Sequence, residues 1–353
     1  MCSGPFYPGP PYPGPSCSGS PPRAQPLFRA ARVGDNARVR SSIRIDRRSL
    51  SLAVLLAACG PGPSPSEQRL DIERLVFVPG GDMSPFVDVV VTVPADLLVD
   101  RFEVTTELWR EVATRGGAEI PTAEELLTPE LEAPQAPVVG MTLEEARRFA
   151  RARAMRLPTV AEWLFVAAGT RAQFWPYRGR SQETSVANTS EVRLGRAVPV
   201  GTFPRGQTSD TGVHDMLGNV WEWTVPPLPV DVEPSSWWLT GRSTAPYWAM
   251  GGSFLSPARP LFGLGGPGGQ RRVYHARGLE SGERATDVGL RCCADAEEYL
   301  RGVAGSLSRP ALRARIVAVG ELWGSRAVPL LERLVEEPGA PEALAWLLEG
   351  AML

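Results

Sequence analysis

The feature that most restricts this chain is the stretch from Gln173 to about Gly289, more than a hundred residues rich in Gly, Pro, Trp and polar side chains and with little regular periodicity. Long structureless runs are uncommon inside compact domains. A run of this length needs specific fasteners, of which bound metal ions and buried aromatic rings are the usual kinds. Trp221, Trp223, Trp237, Trp238 and Trp248 all fall within it, and large aromatics dominate burial wherever they occur.

Regular elements are expected on either side. Leu75 to Val78, ahead of Pro79, Gly80 and Gly81, reads as a β-branched strand stopped by a turn. Val87 to Val93 is a second extended segment, and with Leu97 to Thr105 it predicts a hairpin feeding a helix. Three helix starts carry a Thr-x-x-Glu capping box: Thr122 with Glu125, Thr142 with Glu145, and Thr159 with Glu162. The second helix would place Ala146, Phe149 and Ala150 on one face, and the third Trp163, Val166 and Ala167. After Asp295 the pattern becomes helical, with Leu312, Ile316 and Val319 on one face, then Val328, Leu331 and Val335, then a helix beginning at Glu342. This tail resembles a HEAT-type helical hairpin. Fewer than about three such repeats rarely stand alone, so it is expected to dock on the main domain or on a partner.

Composition excludes some classes of function. With 43% hydrophobic and 22% charged residues the chain resembles an ordinary soluble protein rather than a multi-span membrane protein, and no stretch is long enough to cross a bilayer. All 37 basic residues are arginine. Residues 1–58 hold eight of them against two aspartates, so the remainder is more acidic than the whole chain. Nucleic acid is therefore not an expected partner, because that binding requires clustered cations.

Arg44, Arg47 and Arg48 precede the apolar run Leu50 to Leu56, which ends in Leu56-Ala57-Ala58-Cys59-Gly60. This is the layout of an export signal. Leu56 to Cys59 also resembles a bacterial lipobox, whose cysteine thiol takes the diacylglycerol. The expectation is an exported, membrane-anchored lipoprotein, lipidated on Cys59 and facing the periplasm or cell surface. Residues 1–58 form the signal region, of which residues 1–42 read as the product of a start placed too far upstream. Residues 59–70 are the lipidated cysteine and a Pro/Gly/Ser-rich tether. Cys59, Cys292 and Cys293 are then the cysteines of the mature chain, too few for a disulfide scaffold.

Four segments in order carry a family resemblance. They are Asp100-Arg101-Phe102-Glu103-Val104-Thr105-Thr106; Pro137 to Gly140 with Arg156-Leu157-Pro158-Thr159-Val160-Ala161-Glu162-Trp163; Gly212 to Thr224, which contains Gly218-Asn219-Val220-Trp221-Glu222-Trp223; and Met250-Gly251-Gly252-Ser253-Phe254 with Gly289-Leu290-Arg291-Cys292. Together they resemble the formylglycine-generating, or sulfatase-modifying factor, family across roughly residues 71–295. The resemblance implies an irregular α+β domain related to C-type lectins, low in regular secondary structure. Residues 296–353 would be its helical, HEAT-like appendage.

The chemistry departs from the family. Active members carry a cysteine three residues after the serine of Gly-Gly-Ser and another five further on, a pair that binds cuprous copper and activates oxygen. Here those positions are Ser256 and Leu261. Cuprous ion requires thiolate or thioether ligands, so copper is not an expected cofactor. Cys292 matches a structural position and is expected to pack as a small hydrophobe, with a vicinal disulfide to Cys293 as the other reading.

Calcium is the expected cofactor. By resemblance, one calcium site would fall on Asp215, Gly218, Val220 and Glu222, an all-oxygen set suited to a hard ion. The alternative for these residues is an Asx-type turn at Asp215 and an arginine partner for Glu222. A second family site would begin at Asn188 and Thr189, but its other half has no counterpart here. His214 and His275 are the only histidines, too few for the three-histidine iron site of the related ergothioneine-type enzymes.

The resemblance also implies a groove lined by Ser253, Ser256, Arg259, His275 and Arg291. One or two of the tryptophans would join it, suiting a peptide or a sugar. Three functions remain open on this reading. The first is a non-catalytic, calcium-stabilised binding or scaffold module with a peptide, glycan or envelope protein as partner. The second is a periplasmic oxidoreductase or modifying enzyme of the same superfamily that works without copper cysteines. The third is a structural component of an envelope assembly that docks through its C-terminal helices.

Overall fold

Leu75–Val78 is buried along its whole length, as a strand with both faces covered must be. In the computed structural model, which describes residues 70–87, 89–116, 119–126, 133–177, 186–226, 247–265 and 271–353, it is the first of a series of short strands. These are β1 (Leu75–Val78), β2 (Gly81–Phe86), β3 (Val89–Val93), β4 (Leu97–Asp100), β5 (Trp221–Thr224), β6 (Tyr247–Met250), β7 (Phe262–Gly265), β8 (Arg271–Tyr274), β9 (Ala276–Leu279), β10 (Val288–Gly289) and β11 (Cys293–Asp295). The α-helices are α1 (Thr106–Gly116), α2 (Leu143–Ala152), α3 (Val160–Ala168), α4 (Ala296–Leu307), α5 (Arg313–Trp323), α6 (Val328–Val335) and α7 (Glu342–Ala351). The fold is thus a mixture of helix and strand, and Pro63–Leu353 form one compact unit. The export signal, Cys59, Trp237 and Trp238 lie outside the described residues.

The expected hairpin feeding a helix is present in modified form. β1 pairs antiparallel with β4, and β4 takes β11 on its other edge. The chain between β1 and β4 forms its own hairpin of β2 and β3, with a register shift between Met83 and Phe86. β4 then leads through Arg101–Thr105 into α1.

A second sheet, in the order β10-β5-β6-β9, lies within the stretch that reads as irregular. β10 runs parallel to β5 and the other pairs are antiparallel. β5 is buried at all four positions, so it shows no polar alternation that a sequence pattern could reveal.

The capping boxes at Thr142 and Thr159 close as expected. Thr142 Oγ1 accepts from Glu145 N at 3.3 Å and Glu145 returns a bond to Thr142 N at 2.8 Å. The corresponding distances at Thr159 and Glu162 are 3.1 and 2.8 Å. Ala146, Phe149 and Ala150 are buried, as are Trp163, Val166 and Ala167. Thr122 is a correction. Glu125 accepts from its amide at 2.7 Å, but the Glu125 amide bonds the Thr122 carbonyl at 3.1 Å and Leu126 is extended. Only one 3-10 turn, Ala123–Glu125, results.

The C-terminal helices dock on the strands. Trp323 is fully buried; its indole N–H donates to the Leu75 carbonyl at 3.0 Å and its ring lies 6.1 Å from that of Phe77. Arg315 holds Glu73 through Nε and Nη2 at 2.6 and 2.7 Å. One apolar cluster runs from Leu75 and Phe77 through Trp323 to Leu331 and Leu347. Within the tail, α5 and α7 meet backbone to backbone. A Cβ on Gly320 would lie 2.1 Å from the Leu347 carbonyl oxygen, and one on Gly350 would lie 2.0 Å from that of Val317.

Candidate functional site

The Gly212–Val220 loop is tightly wound because Asp215, Gly218 and Asn219 all adopt left-handed backbone conformations. At Gly218 no side chain fits, since a Cβ would sit 2.3 Å from the Asn188 carbonyl oxygen. Asn219 pins the loop by spending its whole amide. Its Oδ1 accepts from Asn188 Nδ2 and Val198 N, both at 3.0 Å, and its Nδ2 donates to Glu103 at 2.6 Å and to the Val198 carbonyl at 3.2 Å. The other oxygen of Glu103 accepts from Val220 N at 3.1 Å.

Immediately after the loop, Glu222 meets Arg291. The guanidinium donates from Nη2 to Oε1 at 2.6 Å and from Nε to Oε2 at 3.0 Å, and both side chains are 1% exposed. Trp163 Nε1 adds a bond to Oε2 at 2.7 Å. The remaining arginine donors go to the carbonyls of Asp100 and His214, each at 2.8 Å. Two expectations are corrected here. Arg291 does not line a groove; it is the buried counter-ion of Glu222. Glu222 in turn is committed to that arginine and to Trp163, which is the alternative pairing, because a buried guanidinium requires a charged partner.

The surrounding charge is unbalanced. Glu103, Asp215 and Glu222 are all buried, with Arg291 as the basic group among them. Burial raises the Glu103 carboxyl well above its usual range, and the charges of Asp215 and Glu222 push the same way. Burial likewise raises Asp215 to about 6, against the opposing bond from Gly201 N at 2.8 Å. Asn188 Oδ1 is buried without a hydrogen-bond partner. Buried carboxyl groups whose ionisation a bound cation would favour, together with an orphaned oxygen acceptor, suit a hard ion. Among the described residues, however, no three His, Cys, Asp or Glu side chains stand together so as to hold a metal by themselves. Any ion here would therefore depend on main-chain and amide oxygens.

The positions that replace the copper cysteines lie in and after the turn following β6. Gly251 and Gly252 are left-handed, and Ser253 and Ser256 follow, 0% and 5% exposed. Ser256 Oγ accepts from Ser253 N at 3.1 Å and lies 3.3 Å from Ser253 Oγ, which donates to Asp287 at 2.8 Å. Asp287 is held in turn by Arg277 at 2.8 Å. The His275 ring lies against Gly252, where a Cβ would meet its Cε1 at 2.7 Å, and edge-on to Trp221 at 5.1 Å. His275 Nδ1 is buried and unpartnered. Burial first, and the charge of Arg259 second, lower this imidazole to about 3. Leu261 is 0% exposed in an apolar cluster with Trp248, Met250 and Phe262.

Ser253, Ser256 and His275 are thus brought together, but buried rather than lining an open groove. Arg259 is exposed. The two cysteines are free and sit in separate apolar clusters, Cys292 with Phe149 and Leu290, Cys293 with Val99 and Trp163. Burial raises both thiols, which keeps them in the inert protonated form. His214 lies tilted against Phe102 at 4.9 Å with neither ring nitrogen bonded, and burial lowers it to about 4. Sequence reading left out two side chains that organise this region, Glu103 and Asp287. Glu103 at least lies in the first resembling segment, whereas Asp287 carries no signal of its own.

Comparison with known proteins places this geometry. A family model described as "Sulfatase-modifying factor enzyme 1-like domain" matches residues 62–296. The formylglycine-generating enzyme of Mycobacterium tuberculosis is 31% identical over 179 residues, which is 45% of this chain and 57% of that protein. Inactive C-alpha-formylglycine-generating enzyme 2 of Bos taurus is 34% identical over 98 residues, covering 25% and 32%. Hercynine oxygenase of Mycolicibacterium thermoresistibile is 37% identical over 99 residues, covering 27% and 22%. The chain therefore matches between about a fifth and three fifths of the length of these relatives.

Proposed function

We propose, from the premise that this chain belongs to the sulfatase-modifying factor enzyme 1-like family, that it is a non-catalytic member acting as a binding or scaffold module at the cell envelope. The observation that carries this reading is the state of positions 256 and 261. A serine hydroxyl engaged with Ser253 and a leucine fully buried in the core stand where two sulfur donors are needed. Neither supplies a soft ligand, and the protonated thiols of Cys292 and Cys293 lie on other elements. One relative of similar sequence is itself named as inactive.

The test is direct. The purified chain, supplied with cuprous ion and a cysteine-containing sulfatase peptide, is expected to yield no formylglycine by mass spectrometry and to retain no stoichiometric copper after desalting. Formylglycine product would overturn the proposal.

We further propose that calcium stabilises the module through Asp215 Oδ1, the carbonyls of Gly218 and Val220, and the neighbouring Asn188 Oδ1, with Glu222 left to Arg291. Ligand binding to the folded state adds about 2.7 kcal/mol at a hundredfold excess over Kd. The melting temperature should therefore rise by several degrees on adding calcium and fall with a chelator; an unchanged melting curve would remove calcium from the account. Lipidation of Cys59, envelope location, a lectin-related core and a HEAT-like tail belong to the same proposal. A metabolic label of the cysteine that disappears in Cys59→Ala tests the anchor.

An enzyme of another chemistry is the second reading, favoured by the orphaned Nδ1 of His275, whose ring packs, like Ser256, against Gly252. An activity lost in His275→Gln with folding unchanged would establish it.

A further inference from the structure

A cavity of about 230 Å³ lies away from the Ser253–Ser256 turn, where the segment after β4 meets α1. Arg101, Phe102, Thr105, Leu108, Gln135 and Val200 are among its walls. The other ionic groups on the wall already have partners. Glu73 is held by Arg315, Arg74 by Glu111 at 3.1 Å, and Asp100 by Arg153 through two bonds of 2.8 Å. The Glu103 oxygens are taken by Asn219 and Val220 N.

Arg101 is different. Among the described residues its guanidinium has no carboxylate partner and no acceptor, its Nε is buried unbonded, and its carbon lies 5.4 Å from the centroid of the Phe102 ring. Arg101 is half-buried, and its one buried N–H, left unbonded, costs free energy. Thr105 offers a second donor, since its oxygen accepts from Leu108 N at 3.2 Å while its own proton has no acceptor among the described residues.

From this arrangement we propose that the cavity is a binding site for a small carboxylate with an apolar body, a site separate from the family's catalytic position and independent of the function proposed above. The guanidinium fork matches a planar carboxylate through two parallel charge-assisted bonds. Thr105 can donate to the same group. Phe102, Leu108 and Val200 supply the apolar wall against which a short alkyl or aryl body would lie. The volume falls below the roughly 300–1,000 Å³ of sites for drug-sized ligands, which restricts the occupant to a small acid.

Benzoate is a suitable probe, titrated into the full-length protein and followed by calorimetry and by amide chemical shifts at Arg101–Thr105. Saturable binding is expected, weakened at least tenfold or so in Arg101→Gln, which is the factor that the loss of one charge-assisted pair implies. Arg101→Lys should fall between the two. Benzamide, equal in shape but uncharged, should not bind to the wild-type protein, a comparison that holds whether or not the variants fold. No saturation with benzoate, equal binding of benzamide, or full affinity in a folded Arg101→Gln would each overturn the site. Tighter binding of inorganic phosphate than of benzoate would overturn its assignment to carboxylates.

Discussion

Removing one member of the Glu222–Arg291 pair leaves the other charge buried, and the cost of that is larger than the value of the pair itself. Glu222→Gln is therefore expected to destabilise the protein by about 3–5 kcal/mol, read from the urea midpoint, and Arg291→Met in the same background should recover part of the loss. His275 makes a prediction about pH. Its imidazole titrates near 3 in the folded protein, below its value of 6.5 in an unfolded chain, so the fold holds it neutral. Above pH 6.5 both states are neutral and the residue adds no pH dependence. As pH falls from 6.5 toward 3 the unfolded chain takes up a proton that the folded chain refuses, and stability is lost at about 1.4 kcal/mol per pH unit. His275→Gln should show a correspondingly shallower acid slope in chemical unfolding; parallel slopes would mean that the ring is not held neutral. At this scale the sequence was partly legible. The Gly-Asn-x-Trp-Glu-Trp run marked the loop, but the partner of Glu222 lies 69 residues further along the chain, and local pattern alone left a metal and an arginine both open.

Elements were legible where their determinants are local. Thr142 and Thr159 each meet a glutamate three residues on and begin helices, because both halves of each box are supplied by one turn. Thr122 has the same letters and yields one 3-10 turn, since the chain turns extended at Leu126 directly after Glu125. The β10-β5-β6-β9 sheet stayed hidden for a different reason: its strands are four residues or fewer, and β5 meets partners more than twenty residues away. Two glycines in the helical tail separate packing from propensity. Gly350→Ala drives a methyl toward the Val317 carbonyl and should cost about 1–3 kcal/mol or more, because α5 and α7 must part to admit it. Gly302→Ala, in α4 with nothing within 4 Å of the added carbon, should instead stabilise by roughly 0.5–1 kcal/mol. Thermal unfolding of the two variants should move in opposite directions.

For the whole molecule, the question is whether the tail is a separate body. Sequence reading left its docking site undecided between the main domain and a partner, as it had to, because an apolar helix face does not name what covers it. Trp323 decides the matter: its indole bonds the Leu75 carbonyl and its ring packs near Phe77, so the strand core and the helices share one apolar cluster. Elements joined through a common core unfold together. Trp323→Ala is accordingly expected to cost about 3–5 kcal/mol and to lower the stability of sheet and helices alike. Intrinsic fluorescence, which follows the many tryptophans of the strand region, and far-ultraviolet circular dichroism, which follows the helices, should then give coincident transitions in both proteins. If the helices of the variant melted first while the strand region kept its original midpoint, the tail would be a separate folding unit, free to use its apolar faces on something other than the domain that carries it.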